Sequence, residues 1–360
     1  MRISYGTTGN DNIGDYAYLS TYFTTYGQGL PYQGSGALAV DGLKNPYLQW
    51  EETEKISAGI DLGFFNDRVL IGATYSRNIS SNQLLPYNLP SITGVLAGSS
   101  GFTQNFPATV QNSIWEFTLN TVNIKGKDFT WVSSFNMTIS ENKVTRFPDI
   151  ENTGYGAFNS GVIVGQPLSI KYYGHHLGVD PARGFYIRAD GKGQPTFAFA
   201  GLGTNDISTG INQLISLRSP YWGGISNTVS YKGLSLDFLW QFVRQRGPRY
   251  LYYSNSMLSP GSFSNLDYSY GANNQPASVL NRWQKPGDNA PIARFSTDPE
   301  LSTDLSFRDA YFSWDASFAR LKNLSLSWQL PRDWIRSAHF ENANIYFSGQ
   351  NLVTITNYTG

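Results

Sequence analysis

From Ser113 to Ser140 the chain reads SIWEFTLNTVNIKGKDFTWVSSFNMTIS, and its alternation decides the architecture. In the first half Trp115, Phe117 and Leu119 alternate with Glu116, Thr118 and Asn120. In the second, Phe129, Trp131, Ser133, Phe135, Met137 and Ile139 alternate with Thr130, Val132, Ser134, Asn136, Thr138 and Ser140. A period of two puts every second side chain on one face of an extended strand. Lys125-Gly126-Lys127 then reads as the turn of a hairpin.

The same unit recurs along the chain. From Glu51 to Phe65, Ile56, Ala58, Ile60, Leu62 and Phe64 oppose Thr53, Lys55, Ser57 and Asp61, and after an Asn66-Asp67 turn Val69, Ile71, Ala73 and Tyr75 continue the pattern to Arg77. Strands 222–232 and 234–244 flank Gly233, with Leu234, Leu236, Phe238, Trp240 and Phe242 on one face and Asn227 interrupting the apolar side. A last pair is expected from Phe318 to Leu330, with Leu324, Leu326, Trp328 and Leu330, and from Ala343 to Gly349, with Ile345 and Phe347. Pro331 to Ile335 suits one helical turn, because proline is well placed at a first helical position.

About nine strands are legible in this way. Connections inside hairpins are short, whereas those between hairpins run from about Asn78 to Asn112, Glu141 to Tyr221 and Gln245 to Arg308. Short turns at one end and long loops at the other are the plan of an outer-membrane barrel. Two further strands fit between Glu141 and Tyr221, with Pro167 to Tyr173 and Pro195 to Ala200 as the candidates.

Composition supports a folded β-rich chain. The 360 residues carry 26 basic and 26 acidic side chains, only 14% charged against roughly 25% in ordinary proteins, with 15% aromatic. Zero net charge gives no field to attract nucleic acid, and 23 Tyr, 22 Phe and 9 Trp exclude an unfolded chain. No cysteine is present, so disulfide frameworks and thiolate metal sites are excluded. No apolar run reaches the 18 or so residues of a membrane helix, and Met1 to Tyr5 leads into strand-like sequence. The face opposite the apolar rows is mainly Ser, Thr, Asn and Gly, which suits a crowded polar interior better than a solvated surface. Rings gather near strand ends: Phe64, Phe129, Trp131, Tyr231 and Trp328 by the short turns, and Tyr75, Trp115, Trp240 and Phe242 toward the loops. From periodicity alone, a soluble β-protein stays open beside the membrane barrel.

Several stretches resemble the SusC/RagA family of TonB-dependent outer-membrane transporters. Arg2-Ile3-Ser4-Tyr5-Gly6-Thr7-Thr8-Gly9-Asn10 and Asn45-Pro46-Tyr47-Leu48-Gln49-Trp50-Glu51 are the most specific. Ala58 to Arg68, Gly165-Gln166-Pro167-Leu168, Gly178-Val179-Asp180-Pro181, Leu321-Lys322-Asn323-Leu324-Ser325-Leu326 and Ser348 to Gly360 follow in family order. The resemblance implies an all-β, antiparallel transmembrane barrel, partial here at about 9–11 strands, where plugged transporters have about 22. Residues 1–360 would then be part of one such barrel domain, with the plug domain and the final strands absent. It also implies import of oligosaccharides or peptides, a SusD-like surface lipoprotein as lid, a TonB complex engaged through the absent N-terminal part, and outer-membrane lipid around the wall. Such a fragment is expected to transport nothing alone, because an unclosed sheet leaves edge groups unpaired in hydrocarbon; a closed, conducting pore after refolding in detergent would contradict this.

The residues expected to meet lipid are Ile60, Leu62, Phe64, Phe117, Leu119, Trp131, Phe135, Leu236, Phe238, Trp240, Leu326 and Trp328. Those expected to meet substrate or the lid protein are Tyr16, Tyr18, Tyr22, Tyr26, Tyr250, Tyr252 and Tyr253, with self-packing of the loops as the competing reading. No catalytic residue, cofactor or metal site is assigned. His175, His176 and His339 are too scattered for a metal, and Asp298, Glu300, Asp304 and Asp309 read as a solvated acidic loop before a calcium site. Gly191-Lys192-Gly193 lacks the following helix of a phosphate loop and reads as a β-turn. Two other functions remain beside the importer: a soluble secreted carbohydrate-binding β-protein, and a passive porin.

Overall fold

The computed structural model describes residues 1–10, 13, 18–24, 38–87, 102–153, 155, 162–190, 192–196, 211–247, 277–295, 314–336 and 339–358. Nine strands dominate it: β1 (Arg2–Asn10), β2 (Glu51–Phe64), β3 (Val69–Ser81), β4 (Thr109–Lys125), β5 (Phe129–Arg146), β6 (Tyr221–Tyr231), β7 (Leu234–Arg244), β8 (Phe318–Gln329) and β9 (Asn344–Thr356). They hydrogen-bond in chain order as one sheet, the meander that alternate short turns and long connections dictate. Their 9 to 18 residues match or exceed the 9–11 or so that a tilted strand needs to cross a bilayer. The nine expected strands are all present, and the Pro331 turn is a one-turn helix, α1 (Arg332–Arg336).

Four boundaries differ from expectation. β3 runs on to Ser81, β4 begins at Thr109 and β5 continues to Arg146, so these strands rise beyond their apolar stretches. β9 continues to Thr356, seven residues past Gly349. It does so through a bulge: Leu321 pairs with Val353 and Asn323 with Gln350, leaving Lys322 against Asn351 and Leu352. Asn351 adopts a left-handed φ of 54° there, a conformation in which asparagine is enriched. The two extra strands proposed between Glu141 and Tyr221 do not join the sheet. Ile170–Gly174 pairs with Ile211–Ser216, and Pro195–Thr196 with Tyr186–Ala189, in small separate sheets.

The chain divides into two compact units, 1–62 with 71–117 and 139–168, and 63–70 with 118–138 and 169–360. In the first, Phe106, Ala108, Val110, Val144 and Phe147 form a buried cluster at the loop ends of β4 and β5. The hairpin Gln83–Tyr87/Phe102–Phe106 contributes Leu85, Tyr87 and Phe106 to it. Phe106 meets Phe147 and Tyr155 edge to face, with centroids 5.7 Å apart in each pair. Burial raises the pKa of Tyr155, whose hydroxyl donates to the Pro86 carbonyl at 2.7 Å.

The second unit holds the four-strand ladder β6 to β9. Lys232 and Gly233, with φ of 45° and 87°, close the β6–β7 turn. Two consecutive positive φ values match the right-handed twist of the flanking strands. Gly233 is required there also because a Cβ would lie 3.0 Å from the Gln329 carbonyl oxygen.

Candidate functional site

The register of the ladder sorts its side chains into two faces. On one, cross-strand rows read Tyr231, Leu234, Trp328, Ile345; then Val229, Leu236, Leu326, Phe347; then Asn227, Phe238, Leu324, Gly349; then Ile225, Trp240, Leu321, Val353; then Gly223, Phe242, Ala319, Ile355. On the other they read Ser230, Ser235, Ser327, Tyr346; then Thr228, Asp237, Ser325, Ser348; then Ser226, Leu239, Asn323, Gln350; then Gly224, Gln241, Arg320, Thr354. Leu239 and the outermost row Trp222, Val243, Phe318 are apolar members of that second face. The bulge at Lys322 keeps the faces in phase, placing Leu321 with Trp240 instead of with Gln241.

Hydrogen bonds bind the polar face laterally. Thr228 donates to Asp237 at 2.5 Å, Ser235 shares bonds with Ser230 (3.1 Å) and Asp237 (3.4 Å), and Arg320 donates to Thr354 at 3.1 Å. In the first unit Arg2 reaches Asp61 at 2.7 Å and Thr74 at 3.2 Å, Ser76 donates to Ser57, and Thr53 meets Ser80. Asn227 interrupts the apolar face, and its side-chain oxygen is bonded internally. The Asn227 carbonyl oxygen accepts from the Trp131 indole at 2.9 Å and from Ser133 at 2.6 Å, while Ser133 accepts from Asn123.

Arg2–Asn10 forms the regular strand β1, whereas several of the other family-like motifs occupy irregular points of the backbone. Asn45 is buried to 5% exposure, donates to the Thr103 carbonyl at 2.8 Å and accepts from the Tyr47 N–H at 3.1 Å. Glu51 accepts from the Leu84 N–H and from Asn10, both at 2.9 Å. Asn105 exchanges bonds with the Gln49 backbone at 2.8 and 2.9 Å. Trp50 lies so close to Gly9 that a Cβ there would sit 2.9 Å from its ring. The two most specific motifs therefore pack against each other and tie the chain before β2 to the 83–106 hairpin. Gly165 and Gln166 bond back to Val144 at 2.7 and 2.9 Å, Asp180 caps a hairpin turn through the Ala182 and Gly184 N–H groups, and the last two motifs form the Lys322/Asn351 bulge. Asp190 holds a turn by accepting the N–H groups of Lys192 and Gln194, each at 2.8 Å, which agrees with a β-turn at that position.

Of the residues expected at a substrate or lid contact, Tyr18 and Tyr22 are exposed, at 51% and 59%; Tyr16, Tyr26, Tyr250, Tyr252 and Tyr253 lie outside the described residues, as do Asp298, Glu300, Asp304 and Asp309. His175 and His176 stand at the start of the strand His176–Val179, and His339 follows α1 at a left-handed φ of 61°. Of the residues expected at lipid, Leu236, Phe238, Trp240, Leu326 and Trp328 share the single apolar face above. Ile60, Leu62 and Phe64 continue the parity of Ile56 and Ala58, which oppose Tyr5 and Ile3 across β1. Trp115 and Phe117 stack with centroids 5.9 Å apart, and Phe135 stacks on Phe242 at 6.1 Å.

A charged pair at the loop end of the ladder escaped the sequence reading. Arg244 donates to Asp315 at 2.5 Å and to the Ser317 hydroxyl at 3.2 Å. Hydrogen bonds from the Ser317 hydroxyl and backbone N–H, then from Arg244, hold the Asp315 carboxyl at about 2 instead of 3.8. The partners are 71 residues apart in sequence, and no local pattern announces such a pair.

The sequence relatives are consistent with this geometry. TonB-dependent receptor P3 of Formosa agariphila is 28% identical across 100% of this chain, and TonB-dependent receptor SusC of Bacteroides thetaiotaomicron is 26% identical across the same span. Along its whole length the chain is similar to TonB-dependent receptors. It spans 35% and 34% of the length of those two relatives. No family model matches the sequence. Among solved structures, the RagAB peptide importer in its open-open state superposes with a TM-score of 0.76 over 99% of this chain and 36% of its own, at 23% identity. A second RagAB peptide transporter structure gives 0.74 over 100% of this chain and 37% of its own, also at 23% identity. The shared fold is that of an antiparallel β-barrel, of which the described residues supply nine strands in one sheet.

Proposed function

We propose that the chain is part of the wall of a TonB-dependent outer-membrane importer, in which the apolar face meets lipid and the polar face lines the passage. The observation that carries this reading is the separation of faces across β6 to β9. An aqueous sandwich would cover rows such as Leu236, Leu326 and Phe347 with a second layer, yet Leu326 is 40% and Phe347 62% exposed. A continuous apolar surface of this extent marks a membrane or a partner.

In this reading residues 1–360 belong to one barrel domain whose plug and TonB-contacting parts lie elsewhere in the whole protein. The SusC and RagAB names support a bound surface lipoprotein, with Tyr18 and Tyr22 among the loop residues that meet it or the substrate. Oligosaccharides or peptides are the substrate classes, and the residues here hold and guide without covalent chemistry. The test is uptake by cells expressing the intact protein, with and without a functional TonB complex. Accumulation of labelled oligosaccharide or peptide that ceases when TonB is removed supports import; accumulation indifferent to TonB overturns it in favour of a passive pore.

A further inference from the structure

We propose that Arg294, in the long connection between β7 and β8, is a carboxylate-binding residue of the importer, so that the substrate it takes carries an acid group. The proposal rests on the importer reading and narrows its substrate class. Arg294 lies where two long connections are knitted together. Its backbone N–H donates to the Gly184 carbonyl at 2.7 Å, while the Trp283 indole and the Gly287 N–H both donate to the Pro181 carbonyl, at 2.9 and 2.8 Å. Gly184 has a left-handed φ of 74°, and a Cβ there would lie 2.5 Å from the Trp283 ring and 3.0 Å from the Arg294 Cβ. The turn at 180–185 is thus clamped between Trp283 and Arg294, which fixes the arginine at its root.

The head of the side chain is held as well. Its guanidinium carbon stands 4.0 Å from the centroid of the Phe185 ring, a cation–π contact that covers one face of the planar group. Nε is buried and has no hydrogen-bond partner, so Nη1 and Nη2 are the donors left to the outside. Among the described residues no hydrogen bond or ion pair engages either of them. Asp180 and Asp288, the acids of the two neighbouring turns, accept from turn N–H groups instead: Ala182 for the first, Gln284 and Lys285 for the second, each at 3.0 Å. A cation partly withdrawn from water and lacking an anion is costly to hold. Stacking on Phe185 leaves its fork unused, and two parallel N–H groups match the two oxygens of a carboxylate. Peptides carry that group at the C-terminus and on acidic side chains, oligosaccharides carry it on uronic residues, and neutral glycans lack it. Because the head is already fixed, it loses little freedom when a ligand arrives.

The experiment is isothermal titration calorimetry of the intact protein in neutral detergent with two matched pairs of probes: acetyl-tetraalanine and its C-terminal amide, and trigalacturonic acid and its methyl ester. At neutral pH wild type is expected to bind the acid of one pair about tenfold more tightly than its uncharged counterpart, the scale of a hydrogen bond to a charged group. The pair that shows the preference identifies the substrate as peptide or acidic oligosaccharide. Arg294→Met, which keeps an apolar stem beside Gly184, should abolish the preference without weakening the uncharged probe. Arg294→Lys, which keeps the charge but not the fork, should retain part of it. Amide exchange at residues 180–188 separates binding from a merely structural role: a reduced preference with unchanged exchange in the Lys variant supports the site, whereas a preference that falls only where exchange quickens overturns it. Absence of any acid preference in wild type, or a preference undiminished in both variants, overturns it too. TonB dependence of uptake tests the importer separately. Uptake indifferent to TonB overturns that reading, and Arg294 as a substrate residue with it; TonB-dependent uptake without an acid preference overturns the site alone.

Discussion

The buried cluster around Phe106 and the apolar face of the β6–β9 ladder are both built from large apolar side chains, but they are stabilised in opposite ways. Val144 is 1% and Phe106 3% exposed, enclosed by the chain's own hairpin, while Ile345 and Phe347 on the ladder remain 59% and 62% exposed. The cluster is therefore stable through burial within the protein, at about 25 cal/mol per Å² of apolar area. Among the described residues nothing covers the ladder in a comparable way, and in the proposed reading its apolar medium is lipid. In hydrocarbon its backbone groups must still be paired, which continuous strand-to-strand bonding does along β6 to β9.

This contrast can be broken from either side. Phe147→Ala removes a ring that packs on Phe106 and Tyr155 and should cost about 3–5 kcal/mol in the cluster, seen as early proteolysis of the 83–106 hairpin with the ladder still protected. Leu236→Arg places a charge on the apolar face and should cost about 2–4 kcal/mol near mid-membrane, whereas Ser325→Arg on the opposite face should cost far less; urea titration in lipid vesicles compares the two. Asn45→Ala leaves the Tyr47 N–H and the Thr103 carbonyl without their partner and should destabilise the strap before β2 by about 1–3 kcal/mol, read as faster amide exchange at residues 45–51. Asn227→Leu should cost less than about 2 kcal/mol, since it strands the Trp131 indole N–H, and a blue shift in Trp131 emission would report it.

The smallest effect concerns acid. The folded pKa of Asp315 lies below its ordinary value, so its contribution is complete above about pH 4 and declines as pH falls through about 2. The pair is half exposed and screened, so Asp315→Asn should flatten only a shallow slope of stability between pH 4 and 2, followed by amide exchange near Arg244 and Ser317.

Alternation made the wall legible. Nine strands follow from it because each face meets one environment over many residues. The strand ends were not legible: past the apolar stretches β3 to β5 are extended by pairing with neighbours, and β9 passes its apparent end through a bulge that only register reveals. The segments at Pro167 and Pro195 carry strand-like residues, yet they pair locally within their own connection. Asn45 and Glu51 were visible as motif residues, but their work as backbone straps depends on Thr103 and Leu84, more than 30 residues away. The Arg244–Asp315 pair had no local signature at all.

The most direct measurement uses the absence of cysteine from the chain. Single cysteines at Leu324, Ser325, Leu326 and Ser327 of the intact protein in bilayers would each carry a nitroxide, probed by oxygen, which concentrates in lipid, and by a water-soluble nickel chelate. The account predicts a strict period of two, with the labels at 324 and 326 relaxed by oxygen and those at 325 and 327 by nickel. Equal access of the nickel chelate to all four, or the inverse pattern, would contradict it.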